Sequence, residues 1–248
     1  MPEKIVDRIG QAVWADVTAP DVPATAGFYQ HVFGWEYNVA PSELGYYHTA
    51  LEAGKRAAGI GSLSSPDAAP SWTVSFAVAD VRKAVATAND LGAIIVLEPT
   101  EIPQQALIAL AEAPGGARFG LWQAYHNHGF EARAEHGGFA WCEASVADVE
   151  AAVAFYCGLF GYEAAPVTSG GQRILNLGGK AACGISTRQD YQARDEWTPY
   201  FQVHDTDAAV AAVQAGGGAV LFGPAATREG RVAVFSDENG AHFGVLNP

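Results

Sequence analysis

Lysine is scarce in this chain: Lys4, Lys55, Lys83 and Lys180 are the four in 248 residues. Lysine and arginine together number 14 against 27 acidic side chains, a formal charge of −13. That balance leaves no electropositive surface for phosphates, so neither nucleic acid nor an anionic membrane is an expected partner. Cysteine is also rare. Cys142, Cys157 and Cys183 form an odd, scattered set without a C-x-x-C pair, as expected of reduced core thiols. No apolar run approaches the roughly 20 residues that span a bilayer. The start, MPEKIVDRIG, has no apolar stretch of the kind a secretory leader carries, so the chain reads as cytoplasmic. Compact catalytic motifs are missing too: no G-x-S-x-G elbow, no H-E-x-x-H, no phosphate loop and no dinucleotide fingerprint.

What is present is a duplication. The stretch WADVTAPDVPATAGFYQHVFGWE, from Trp14 to Glu36, returns 127 positions later as WCEASVADVEAAVAFYCGLFGYE, from Trp141 to Glu163. Asp21, Phe28, Tyr29, Phe33 and Gly34 coincide with Asp148, Phe155, Tyr156, Phe160 and Gly161. Each copy reads as an alternating strand, an Asp cap, an amphipathic helix and a glycine stop. Along the first strand Val13, Ala15 and Val17 point one way while Trp14 and Asp16 point the other. In the second copy Trp141 and Glu143 take those opposite positions.

Two further units complete the pattern. After a hairpin at Tyr46 to Leu63, the stretch SSPDAAPS reads as a linker. A strand from Trp72, a helix from Asp80 and three more strands follow, ending at ARFGLWQ. Trp197 to Val203 repeats Trp72 to Val78, and Phe243 with Gly244 answers Phe119 with Gly120. Four β-α-β-β-β modules account for nearly the whole chain. The expected domains are 9–126, with modules 9–64 and 71–126, and 138–248, with modules 138–187 and 197–248. The polar stretch 127–137 is expected to link them. Whether modules pair one with two and three with four, or one with four and two with three, is open from the sequence.

The module order, the D-x-x-x-A-x-x-F-Y-x-x-x-F-G-W/Y-E signature and the (P/N)-G-A-x-F-G endings resemble the vicinal oxygen chelate superfamily of glyoxalases, bleomycin-resistance proteins and extradiol dioxygenases. The resemblance implies an α+β fold of two tandem glyoxalase-like domains with curled mixed sheets enclosing a small-molecule cavity. Metal-dependent relatives hold an ion between first-strand His, Gln or Glu residues and a last-strand Glu. Carried onto this chain, those positions are Trp14, Thr73, Trp141 and Thr198, with Gly120 and Gly244 in the glutamate places. None is a usual ligand, so no metal and no cofactor are expected.

The leading reading is therefore a metal-free cavity for a flat, aromatic or polyketide-like metabolite or drug. Trp14, Asp16, Trp141 and Glu143 would line it, with Thr73, Ser75, Thr198, Tyr200 and Gln202. His48 and its counterpart Arg173 would supply donors from a cavity strand. An indole face covered by ligand buries roughly 200 Å² and is worth up to about 5 kcal/mol, against about 1 for one neutral hydrogen bond. A second reading makes the chain a metal-independent isomerase, cyclase or lyase, with desolvated Asp16 or Glu143 as acid or base and His48 or Tyr200 as partner. A third leaves both indoles as plain core, with the acids at a solvated rim, and a last, less favoured one is the metal-dependent glyoxalase or dioxygenase that the resemblance also implies. His126, His128 and His136 read as solvated polar filler, and His31, His204 and His242 as local hydrogen-bonding groups. A single chain already carries four modules, so a monomer or a homodimer is expected.

Overall fold

The computed structural model describes residues 9–168 and 170–248; all but the last two residues of the polar start lie outside them. Four modules repeat one order. The first comprises β1 (Ala12–Ala19), α1 (Val22–Phe33), β2 (Glu36–Val39), β3 (His48–Glu52) and β4 (Lys55–Ser62). The second is β5 (Ser71–Ala77), α2 (Val81–Asp90), β6 (Ile94–Ile102), β7 (Ala106–Glu112) and β8 (Arg118–Ala124). The third runs β9 (Phe139–Val146), α3 (Val149–Phe160), β10 (Glu163–Ala164), β11 (Arg173–Leu177) and β12 (Lys180–Thr187). The fourth has β13 (Glu196–Gln202), α4 (Thr206–Ala215), β14 (Ala219–Thr227), β15 (Gly230–Ser236) and β16 (His242–Asn247). No helix among the described residues is long and apolar enough to cross a membrane.

Every one of these helices opens on an aspartate. The carboxylates of Asp21, Asp80, Asp148 and Asp205 accept backbone N–H groups two or three residues on, which satisfies donors that a helix start leaves orphaned. Gly34 at φ 79° and Gly161 at φ 72° end α1 and α3 in the left-handed conformation that side chains disfavour. Strand order is β2-β3-β4-β1-β5-β8-β7-β6 in one eight-stranded mixed sheet and β10-β11-β12-β9-β13-β16-β15-β14 in the other. Within each module the first strand runs parallel to the last, and the hairpins are antiparallel.

The helix cores group differently from the sheets. One compact unit gathers Ala15–Trp72, Phe130–Trp141 and Thr198–Pro248, which is chiefly module one with module four. Its centre is aromatic: Phe28, Tyr29, Phe33 and Trp35 meet Trp72, Phe201 and Phe243, and the Trp72 indole N–H donates to the Tyr29 hydroxyl at 2.9 Å. The other unit holds Thr73–Gly129 and Cys142–Trp197 together with the chain up to Trp14, chiefly modules two and three. There Phe155, Tyr156 and Phe160 meet Phe76, Phe119 and Trp197, Tyr162 packs on Phe160, and the Trp197 N–H donates to the Tyr156 hydroxyl at 2.8 Å. The repeated F-Y-x-x-x-F signature is therefore a packing device, filling two equivalent cores with the same rings.

The stretch after module two is ordered by specific contacts. Phe130 and Phe139 stack at 4.2 Å with Arg133 over both rings, and the backbone N–H groups of Glu131 and Ala132 donate to the Arg56 carbonyl.

Candidate functional site

One local geometry recurs in all four modules. A polar residue of the first strand stands directly beside a glycine of the parallel last strand: Asp16 beside Gly59, Ser75 beside Gly120, Glu143 beside Gly184, Tyr200 beside Gly244. The glycines clear space for side chains. A Cβ on Gly120 would collide with the Ser75 hydroxyl, and one on Gly244 with the Tyr200 ring. At Gly184 it would fall 2.8 Å from Gln172 Nε2 and 3.3 Å from Glu143 Cγ, and at Gly59 it would strike the Tyr47 hydroxyl.

Two of the four polar residues are acids whose surroundings, among the described residues, bring no cation to them. Glu143, on β9, is half-buried; the Gln172 side-chain amide donates to its carboxylate, and the Ser186 hydroxyl is a second partner. Burial pushes its carboxyl above the usual carboxylate range, against the pull of those two hydrogen bonds. Tyr191 lies close enough for Glu196 and Glu143 to raise its phenol further, after burial has done most of it. Asp16, on β1, has a sparser setting. Burial raises its carboxyl to about 7, opposed by its own backbone N–H.

The expected site residues separate by face. Trp14, Asp16 and Thr18 alternate with fully buried Val13, Ala15 and Val17, so both indole–acid pairs lie on the strand faces turned from the helix cores. Trp14 is 3% exposed and its ring centroid lies 6.2 Å from that of Trp122, while Trp141 is half-buried. Thr73, Ser75 and Thr198 are buried, and Tyr200 and Gln202 half-buried.

His48 and Arg173 require a correction, because both stand on the opposite face. His48 pairs with Ile60, which pairs with Val17 of the core side, and its ring contacts Tyr37. Arg173 pairs with Ile185 and reaches Glu150 of α3 at 3.7 Å. A shift of one residue along a strand reverses the face, and the residues that do look toward the acids are the preceding ones, Tyr47 and Gln172. Their common offset of 125 positions was the available signal; the chemical dissimilarity of tyrosine and glutamine hid it. Ser186 and Tyr191 carried no such signal.

The remaining histidines are spread over the chain. His126 and His128 are exposed, while His136 stacks on His204 at 5.0 Å. Among the described residues no three His, Cys, Asp or Glu side chains stand together in a way that would hold a metal ion. At the places the resemblance assigns to ligands stand two indoles and two threonine hydroxyls, and the glutamate places are glycines whose space Ser75 and Tyr200 already fill. These residues do not fit a divalent ion, which needs anionic or imidazole donors in a preformed set.

Comparison with known proteins agrees with this architecture. At 32% identity over 257 residues the chain matches the putative glyoxylase CFP32 of Mycobacterium tuberculosis, covering 100% of this chain and 98% of that one. The anthracycline biosynthesis protein DnrV of Streptomyces peucetius is 29% identical, over 96% of this chain and 93% of its own. Among solved structures, the Mn(II)-bound glyoxalase of Novosphingobium aromaticivorans superposes with a TM-score of 0.68 at 13% identity, covering 96% of this chain and 82% of that one, a likeness of fold alone. With a family model matched over residues 8–121 and 138–245, this chain belongs to the Glyoxalase/Bleomycin resistance protein/Dioxygenase superfamily.

Proposed function

We propose that this protein binds a small, planar, uncharged or cationic organic molecule at Glu143, without a metal ion. One observation carries the reading: a half-buried carboxylate held by an amide and a hydroxyl, above a strand floor kept flat by Gly184. Such a pair presents acceptors and a donor side by side, which suits hydroxyl, keto and amino groups on a ring. An anionic ligand is disfavoured. Arg173 is turned to Glu150, Arg188 Nη1 lies 3.2 Å from Asp195, and the chain carries a charge of −13. Trp141, two residues before Glu143 on the same strand face and half-buried, offers apolar surface to a ring. The kinship with a protein of anthracycline biosynthesis supports a fused aromatic skeleton for the ligand.

A specific observation favours a second reading, metal-independent isomerase, cyclase or lyase chemistry. Burial raises the Glu143 carboxyl above its ordinary value, the direction a general base needs, and Gln172 would hold it in place. The test is titration with a planar hydroxyanthraquinone such as alizarin, followed by tryptophan quenching and thermal shift. Binding to the parent chain and a loss of about tenfold or more in Glu143→Gln are expected, the size of one charge-assisted hydrogen bond. Equal binding by both chains would overturn the assignment.

A further inference from the structure

Two histidines far apart in sequence face each other in the unit that holds module four. His136 belongs to the polar stretch after module two, and His204 to the turn between β13 and α4; their rings stack with centroids 5.0 Å apart and planes 20° from parallel. Both segments, Phe130–Trp141 and Thr198–Pro248, lie in the same compact unit. The backbone sets the pairing. The Gly137 N–H donates to the Gln202 carbonyl and the Gln202 N–H to the Gly138 carbonyl, each at 2.8 Å, so the stretch is tied to the end of β13 and brings His136 to His204. The Trp35 indole N–H donates to the Gly137 carbonyl at 3.0 Å, and the Asn247 amide donates to the His204 carbonyl at 3.0 Å. These bonds hold both backbones while leaving the imidazoles to be placed by their own side-chain torsions.

His136 Nδ1 is buried and has no hydrogen-bond partner among the described residues. An imidazole nitrogen so placed calls for a donor, an acceptor or an ion. His204 is exposed, so its ring turns at little cost. Two imidazoles on one tetrahedral ion keep their ring centres about 5 Å apart, given a metal–nitrogen bond of about 2.0–2.1 Å, and the stacked pair already has that spacing. A turn of the His204 ring is what aims both lone pairs at one point. The surrounding charges favour a cation. Glu135 and Asp205 adjoin the two histidines in sequence, Glu135 offsets Lys55 at 2.8 Å, Arg133 lies over the Phe130 and Phe139 rings, and the chain as a whole carries −13.

We infer that His136 and His204 form a site for a divalent transition ion of the kind imidazole prefers, Ni(II), Cu(II) or Zn(II), with one ring nitrogen from each histidine and water completing the coordination. Two protein ligands make an exchangeable site rather than a closed structural one, which takes four. The consequence is mechanical: the ion joins the stretch 130–141 to the β13–α4 turn and so stabilises the folded chain. Neither histidine stands at a place the resemblance assigns to a ligand, and the site does not rest on the Glu143 reading.

The test is calorimetric titration of NiCl2 into the full chain after dialysis against a chelator, with a thermal melt of each sample. The parent chain is expected to bind nickel and to melt at a higher temperature with it. His136→Ala and His204→Ala are each expected to weaken binding at least about tenfold, the effect of losing one of two ligands, and to lose the gain in Tm. MgCl2 and MnCl2, whose ions take oxygen ligands, are expected to give neither. The control is the double variant His126→Ala with His128→Ala, which removes two exposed histidines and is expected to match the parent. No binding by the parent, or parent-like binding by either His136→Ala or His204→Ala, overturns the inference. So does a loss that the control shares, which would mean an adventitious ion only. If His136→Ala does not fold, carbethoxylation of the parent chain with diethyl pyrocarbonate and peptide mapping replaces it: nickel must protect both His136 and His204, and modification unchanged by nickel at either one overturns the assignment.

Discussion

Replacing Asp16 with asparagine should make the protein more stable, by a margin that opens as pH rises from about 4 to 7. In the folded chain burial holds the Asp16 carboxyl at about 7, against an ordinary value of 3.8. Its folded pKa thus lies above its unfolded one, the reverse of a salt-bridged acid. Between these two values the folded state keeps a proton that the unfolded chain has released, so stability falls as pH rises through that window. A displacement of this size corresponds to about 4 kcal/mol at most. Because the residue is half-buried, about half of that, ~2 kcal/mol, is the working figure after solvent screening. For a chain of this size ~2 kcal/mol moves Tm by about 4–8 °C. Asparagine keeps the shape without the charge, so Asp16→Asn should match the parent chain near pH 4 and exceed it by that margin at pH 8. The assay is a thermal melt of both chains from pH 4 to 8. A gap between the two that does not change with pH would refute the reasoning, because the charge would then be solvated.

Two further substitutions probe the glycine positions. Gly184→Ala places a methyl group 2.8 Å from Gln172 Nε2, the far end of a flexible side chain, so Tm should change little while alizarin binding weakens severalfold as Gln172 leaves Glu143; unchanged affinity would show that the amide is not needed. Gly120→Glu restores the family's glutamate but drives it into Ser75, so a loss of about 1–3 kcal/mol and no thermal shift with Mn(II) are expected, and a clear manganese-dependent rise in Tm would contradict the account of the metal position.

A great deal of the architecture could be read directly from the residues. The four capping aspartates, the glycine stops and the 127-residue repeat define modules because they act through local backbone chemistry, which neighbours in sequence determine. The mismatch with a metal site was legible for the same kind of reason: indoles, hydroxyls and glycines are poor ligands wherever they stand. The faces of Trp14 with Asp16 and Trp141 with Glu143 followed from strict alternation along strands of unmistakable pattern.

Tertiary structure decided the rest. Which of Tyr47 or His48, and of Gln172 or Arg173, faces the acids depends on where the preceding loop lets β3 and β11 enter their sheets, and one residue of register reverses the answer. The grouping of module one with four and two with three comes from long-range ring packing that no local pattern encodes. The basicity of Asp16 and Glu143 arises only when folding strips water from a carboxylate without bringing a cation to it, a property of the assembled surroundings rather than of either residue.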